Sequence, residues 1–170
     1  MTLDNDFLDG QPAESDDPGL QAFAVLTRFM NEDGWYPQPL EQEQVLRAMF
    51  AGENGEYRCY AQIRPDLQQF LFYVVAPILV AEEMRPAGAE YLTRANYGLR
   101  IGNFEMDFSD GEVRYKTSLD FEGEMLTDNW LRNAIYPAVQ TMDHYMPGLL
   151  SVALGNKTAD EAIQELEEAE

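Results

Sequence analysis

The side chains that could do chemistry are few. The single histidine, His144, is the one group whose ordinary pKa suits proton transfer near neutrality. A general base needs a nucleophile at a workable spacing, and none accompanies it. Winding Asp128 to Leu154 as a helix puts His144 on the polar side, near Gln140 and Ser151, so it reads as a solvated surface residue. Glu105 and Asp107 lie two apart on one strand face, as an acid pair might. Arg114 and Lys116 face them across a hairpin, and such ion pairs account for carboxylates without catalysis. One cysteine, Cys59, excludes an intrachain disulfide, and with one histidine it excludes a zinc site of several Cys and His ligands. The stretch Gly52-Glu53-Asn54-Gly55 lacks the lysine and Ser/Thr of a phosphate loop. HExxH, GxSxG and EF-hand patterns do not occur. No catalytic, metal or cofactor-binding residue is assigned, and no cofactor is expected.

The elements that would position these groups alternate between helix and strand. Asp17-Pro18 opens a helix, with Asp as N-cap and Pro at the first helical position. Leu20, Phe23, Ala24 and Met30, joined by Leu26 or Thr27, recur at helical spacing, and Gly34 closes the segment. Asn54-Gly55 is a strong two-residue hairpin signal. Folding there sets Phe50 against Cys59, Ala48 against Ala61 and Leu46 against Ile63 on one side, with Arg47 and Gln62 on the other. Cys59 is thus expected as a buried small hydrophobe. Gln69 to Ala76 is apolar on both faces, as a central strand would be.

Residues 81–97 read as a helix that Pro86, lacking an N–H, keeps from starting before about residue 83. Asp110-Gly111 predicts a second hairpin, pairing Phe108 with Val113, Met106 with Tyr115 and Phe104 with Thr117. On its other face Asp107 then meets Arg114 and Glu105 meets Lys116. Thr127 caps a long helical region to Leu154, interrupted by Pro137 and Pro147. Its apolar residues, Trp130, Leu131, Ile135, Val139, Met142, Met146, Leu149, Leu150 and Ala153, cover about half the circumference. A one-faced helix needs a stripe of about 100°, so the surplus is expected to meet a partner or a second copy. Thr158-Ala159-Asp160-Glu161 is a capping box for a last short helix. Aromatic residues (Trp35, Tyr36, Tyr57, Tyr60, Phe70, Phe72, Tyr73) gather around the first three strands. They are core, or a partly exposed groove that binds protein.

Charge bounds the partners. The 170 residues carry 31 acids and 11 bases, a net charge of -20. That repels nucleic acid and anionic membranes, and the apolar run Phe70–Ala81 is too short for the ~20 residues of a membrane helix. A cytoplasmic protein is expected. Residues 1–17 and 158–170 each hold six acids and no base, so the region between them has a net charge of -8. The ends are solubilising tails or arms for a basic partner. The expected layout is an acidic, disordered segment over 1–17, an α+β domain over 18–157, and a short acidic helix or tail over 158–170.

Several local stretches resemble the YbjN family. They are Gly34-Trp35-Tyr36-Pro37, the run from Glu90 through Leu99 into Gly102-Asn103-Phe104-Glu105-Met106-Asp107, and Asp110-Gly111-Glu112-Val113-Arg114-Tyr115-Lys116-Thr117. Thr141-Met142-Asp143 and Pro147-Gly148 complete the set. They look like the members found in cyanobacteria and Deinococcus. The resemblance implies a fold like that of type III secretion chaperones. That fold is an antiparallel sheet of about five strands flanked by helices, in the order α-β-β-β-α-β-β-α. It also implies a homodimer with no known catalytic residues that holds other polypeptides along its surface, in a regulatory or stress-related role. Pro86, inside the family's middle helix, is a departure. The expectation is a chaperone-like adaptor for a protein partner, basic in character and plausibly nucleic-acid-binding. An acidic nucleic-acid mimic and an enzyme with an unrecognised site are the alternatives. Trp130, Ile135, Met142, Met146, Leu150, Phe72 and Tyr73 are the candidate partner or dimer surface.

Overall fold

A computed structural model describes residues 18–40 and 44–168. Expectations for residues 1–17 lie outside the described residues. Four helices and six strands follow in the order α1 (Pro18–Glu32), β1 (Gln38–Pro39), β2 (Val45–Ala51), β3 (Glu56–Arg64), β4 (Gln69–Leu79), α2 (Arg85–Gly98), β5 (Asn103–Met106), β6 (Glu112–Asp120), α3 (Asp128–Ala153) and α4 (Ala159–Glu168). The strands make one antiparallel sheet in the order β1-β2-β3-β4-β6-β5. This is the expected α+β domain, with a two-residue edge strand, β1, added.

All four helices lie on the same side. The core joins Leu46, Ala48, Tyr57, Cys59, Ala61, Ile63, Phe70, Phe72, Val74, Phe104, Val113 and Tyr115 from alternate strand positions to buried residues of every helix. Strand periodicity of two sends the intervening residues to the opposite face. On α1 the buried residues are Ala22, Leu26, Phe29 and Met30, while Leu20 and Ala24 are exposed, so the helix is rotated from the expected stripe. Its contacts with β3 and α3 decide the rotation. The chain leaves α1 through Gly34 (φ +80°), where the Trp35 amide donates to the Met30 carbonyl at 2.9 Å.

Both hairpins have the expected faces and a register shifted by two residues. In the first, Phe50 pairs with Tyr57, Ala48 with Cys59 and Leu46 with Ala61. In the second, Met106 pairs with Val113, Phe104 with Tyr115 and Glu105 with Arg114. The cause is the loop. Residues 52–55 form a four-residue connection closed by a Gly52 amide to Gly55 carbonyl bond of 2.8 Å. At the second, the Asp107 carboxylate accepts from the Ser109 amide and hydroxyl, and Gly111 turns at φ +83°. Phe108, expected in the core, is exposed on that loop.

The middle helix begins at Arg85 with Pro86 in its first turn, after a 3₁₀ turn over Glu82–Met84. The long helix α3 is continuous through Pro137 and Pro147. Pro147 cannot donate to the Asp143 carbonyl one turn back, and the Asn54 side-chain amide donates to that carbonyl instead at 3.0 Å. The Asp143 carboxylate meanwhile accepts the backbone amides of Glu53 and Asn54, both at 2.9 Å, and the Tyr57 hydroxyl at 2.8 Å. Gly52 leaves room for it, since a Cβ there would meet Asp143 Oδ1 at 2.2 Å. These four bonds clasp the first hairpin to the last long helix.

Both sheet edges are blunted in part, with Ala48–Ala51 of β2 lying beyond the reach of β1. At one end β1 is two residues long and carries Pro39. At the other the Asn96 side chain accepts from the Phe104 amide (2.7 Å) and donates to its carbonyl (3.1 Å), taking up the backbone groups that β5 would offer a further strand.

Candidate protein-binding face

The alternate strand residues that escape the core line up across the sheet in rows. One row runs Met49, Arg58, Val75, Arg114, Glu105. The next runs Gln38, Arg47, Tyr60, Tyr73, Lys116, Asn103. A third runs Val45, Gln62, Leu71, Ser118, and Arg64 stands at the end of β3 beyond it, opposite Gln69. None of these residues belongs to the core cluster or packs against it, although Val45 and Val75 are covered by neighbours on their own face.

Within these three rows stand four cations, Arg47, Arg58, Arg114 and Lys116, and one carboxylate, Glu105. Arg114 binds Glu105 Oε2 through Nε and Nη2 at 2.9 and 2.8 Å, and Lys116 binds Oε1 of the same group. Burial pushes the Glu105 carboxyl up, but the bonds from Lys116 and Arg114 outweigh it and hold the group below its ordinary range. The guanidinium of Arg114 also lies over the Tyr73 ring, 4.5 Å from its centroid. Arg47 donates to Gln38 Oε1 at 2.7 Å, and Arg58 is exposed between Met49 and Val75 in its row. By the same alternation Glu56, Glu112 and Asp120 stand at the margins of this face, so in a chain of net charge -20 its central rows are a basic and aromatic island.

The helical side offers less. A groove of about 510 Å³ between α2, α3 and α4 includes Tyr97, Gln140, Thr141, His144, Ile163 and Leu166. The His144 ring sits edge-on to Tyr145 at 5.0 Å. Cys59 is fully buried and its thiol is pushed up to about 12 by that burial, which suits packing and not nucleophilic attack. Among the described residues, no group of three or more His, Cys, Asp or Glu is placed to hold a metal ion. Among the same residues, no helix is long and apolar enough to cross a membrane.

The seven residues singled out by sequence divide sharply. Ile135, Met142, Met146 and Phe72 are in the core, whereas Trp130 and Leu150 keep 37% and 40% of their surface and Tyr73 is half-buried on the uncovered face. Apart from Trp130 and Leu150, most of the apolar surplus of α3 is covered within the chain, by the sheet on one flank and by α2 and α4 on the other. The aromatic cluster also splits. Tyr57, Phe70 and Phe72 are core, and Trp35 packs on Phe50, Phe72 and Tyr136 at centroid distances of 5.8, 6.3 and 6.2 Å. Tyr60 and Tyr73 belong to the face, where Arg58, Arg114 and Lys116 were not expected to join them. The signal for that grouping was the polar half of each strand's alternation. It becomes a site only when β4 is known to lie beside β6.

Comparison with known proteins fits this architecture. A solved structure of the ExsC–ExsE complex matches with a TM-score of 0.53 and 12% identity, covering 77% of this chain and 95% of that one. The crystal structure of YbjN from E. coli matches with the same TM-score and identity, covering 79% of this chain and 90% of that one. At that identity the likeness shows the fold alone. No curated protein sequence matches the chain. The model of the YbjN family, described as "Putative bacterial sensory transduction regulator", matches residues 22–151. The chain therefore belongs to the YbjN family.

Proposed function

We propose that this chain is a non-enzymatic, chaperone-like adaptor that holds another protein along the uncovered face of its sheet, in a regulatory role. The observation that carries the reading is a wide strand surface left bare by all four helices, with Tyr60 and Tyr73 at its centre and cations around them. Aromatic and arginine side chains supply most binding energy in protein interfaces, and a preformed sheet presents them at little entropic cost. Family membership and a structural likeness to one member of a two-protein complex agree with it. The preference for a basic partner belongs with the acidic ends, because the face itself favours acidic or neutral segments. A nucleic-acid mimic would need carboxylates in rows, and the central rows of the sheet carry cations.

A homodimer is part of this proposal, with exposed Ile101 and Trp130 beside a groove of about 270 Å³ as its candidate contact. Light scattering that returned the chain mass of 19.4 kDa at working concentration would remove the dimer. The adaptor reading is tested by placing a photo-crosslinking amino acid at Tyr60, and in a second strain at the helical-side residue Leu150. Recurrent capture of one protein from Tyr60 supports the reading. Capture from Leu150 alone overturns it.

A further inference from the structure

We propose that the uncovered face has an occupant within the same chain. The acidic segment 1–17 docks on the basic and aromatic rows and masks them from partners. The proposal rests on the reading of this face as the binding surface and says what regulates it.

Charge makes the first argument. Residues 1–17 carry Asp4, Asp6, Asp9, Glu14, Asp16 and Asp17 and no base, and place Leu3, Phe7 and Leu8 among the first three acids. The central rows offer the complement, Arg47, Arg58, Arg114 and Lys116 around Met49, Tyr60, Leu71 and Tyr73, while at the margins Asp120 lies across Gln69 from Arg64 and Glu56 and Glu112 add acid. Glu105 already satisfies one site's worth of Arg114 and Lys116, and Arg58 sits exposed between them and Met49. A segment whose apolar residues lie among acids in its first half therefore offers side chains to both the rings and the cations of the face.

Geometry makes the second. The segment joins α1 at Pro18, and the next residue, Gly19, is packed so closely on Pro65 that a Cβ would lie 2.4 Å from the Pro65 carbonyl oxygen. Pro65 directly follows Arg64, the basic end of β3. The chain thus enters at the very end of the sheet where the uncovered rows begin. From Arg64 to Arg58 along β3 is about 20 Å at 3.3 Å per residue, and seventeen extended residues span up to about 56 Å. Tethering also sets a local concentration near the millimolar range, so a weak contact suffices.

The other acidic end is committed elsewhere. In α4, Asp160 pairs with Arg94 at 2.8 Å, Glu161 closes the capping box on Thr158, and Glu165 binds Lys157, all on the helical side.

The test uses the full chain. Asn5→Cys gives a single exposed thiol, because Cys59 is buried, and a nitroxide attached there bleaches nearby amide signals in an NMR spectrum. The expected result is loss of the amide signals of Arg58, Tyr60, Tyr73 and Lys116, with those of α2 and α4 retained. The signals should return in about 1 M salt, where screening acts within roughly 3 Å, and in the variant Arg58→Glu. Loss confined to the helices, loss that ignores salt, or no loss at all overturns the proposal. So does displacement of the label from the face by a short oligothymidylate at lower concentration than by a synthetic peptide of residues 1–17, which would make the face a nucleic-acid platform. Failure here with successful crosslinking from Tyr60 would leave the adaptor standing and remove only the self-masking.

Discussion

The two faces of one sheet are made from the same strands, and they have opposite lives. On the helical side Phe72, Cys59 and Tyr115 are sealed from solvent. One residue along each strand, Tyr73, Arg58 and Arg114 stand on a surface that no helix among the described residues covers. The difference teaches that burial and recognition can be coded in the same segment on alternate letters, and that neither can be read without the other.

The comparison breaks most visibly at neighbouring residues of β4. Phe72→Ala should cost about 3–5 kcal/mol, as truncation of a buried aromatic does, whereas Tyr73→Ala should cost no more than about 1 kcal/mol through the lost Arg114 contact. Urea denaturation of the two variants measures the contrast. Equal losses would mean that the second face is a core as well.

A smaller effect is expected at the clasp. Asp143→Ala removes three bonds to the carboxylate and strands the Tyr57 hydroxyl, a loss of about 3 kcal/mol. Burial raises the Asp143 carboxyl, but bonds from Tyr57 and from the Asn54 and Glu53 amides hold it below the ordinary range. A depressed folded-state value stabilises above the unfolded carboxylate pKa of about 4, and that stability is lost as pH falls through the folded value. Asp143→Asn should therefore flatten the acid limb of a stability profile followed by circular dichroism.

At the β5 edge, Asn96→Ala should cost about 1–2 kcal/mol by freeing the Phe104 amide and carbonyl, and should raise concentration-dependent association in sedimentation velocity. Smallest of all, Arg58→Glu should move stability by less than about 0.5 kcal/mol. It should still abolish capture from a crosslinker at Tyr60. A large stability loss there would make Arg58 structural and weaken the distinction between the faces.

Much of the fold was legible because periodicity of two and of 3.6 survives without tertiary knowledge. The alternation in Leu46-Arg47-Ala48 and in Phe104-Glu105-Met106 assigned each residue to the correct face. It could not fix register, because a shift of two residues preserves every face. The loop decides that, and Gly52–Gly55 is shaped by Asp143, about ninety positions away in sequence. The stripe of α1 was misplaced because Leu20 and Ala24 satisfy helical spacing as well as Ala22 and Phe29 do. The apolar girth of α3 was correctly seen, but its cover comes from the sheet, from α2 and from α4, the segment expected as a short acidic helix or tail. The candidate face was invisible for a different reason. Its cations are scattered over β2, β3 and β6, and only the sheet order brings them together.

The blunted edges decide what kind of reading the molecule can perform. Proteins that add a guest strand to a sheet edge gain affinity from backbone bonds, which are nearly indifferent to the guest's side chains. With Pro39 at one margin and Asn96 holding Phe104 at the other, the proposed guest is expected to lie across the strands and be judged by its side chains. Selectivity is then a matter of vocabulary, charge against charge and ring against ring, and a single substitution in the guest is enough to be noticed.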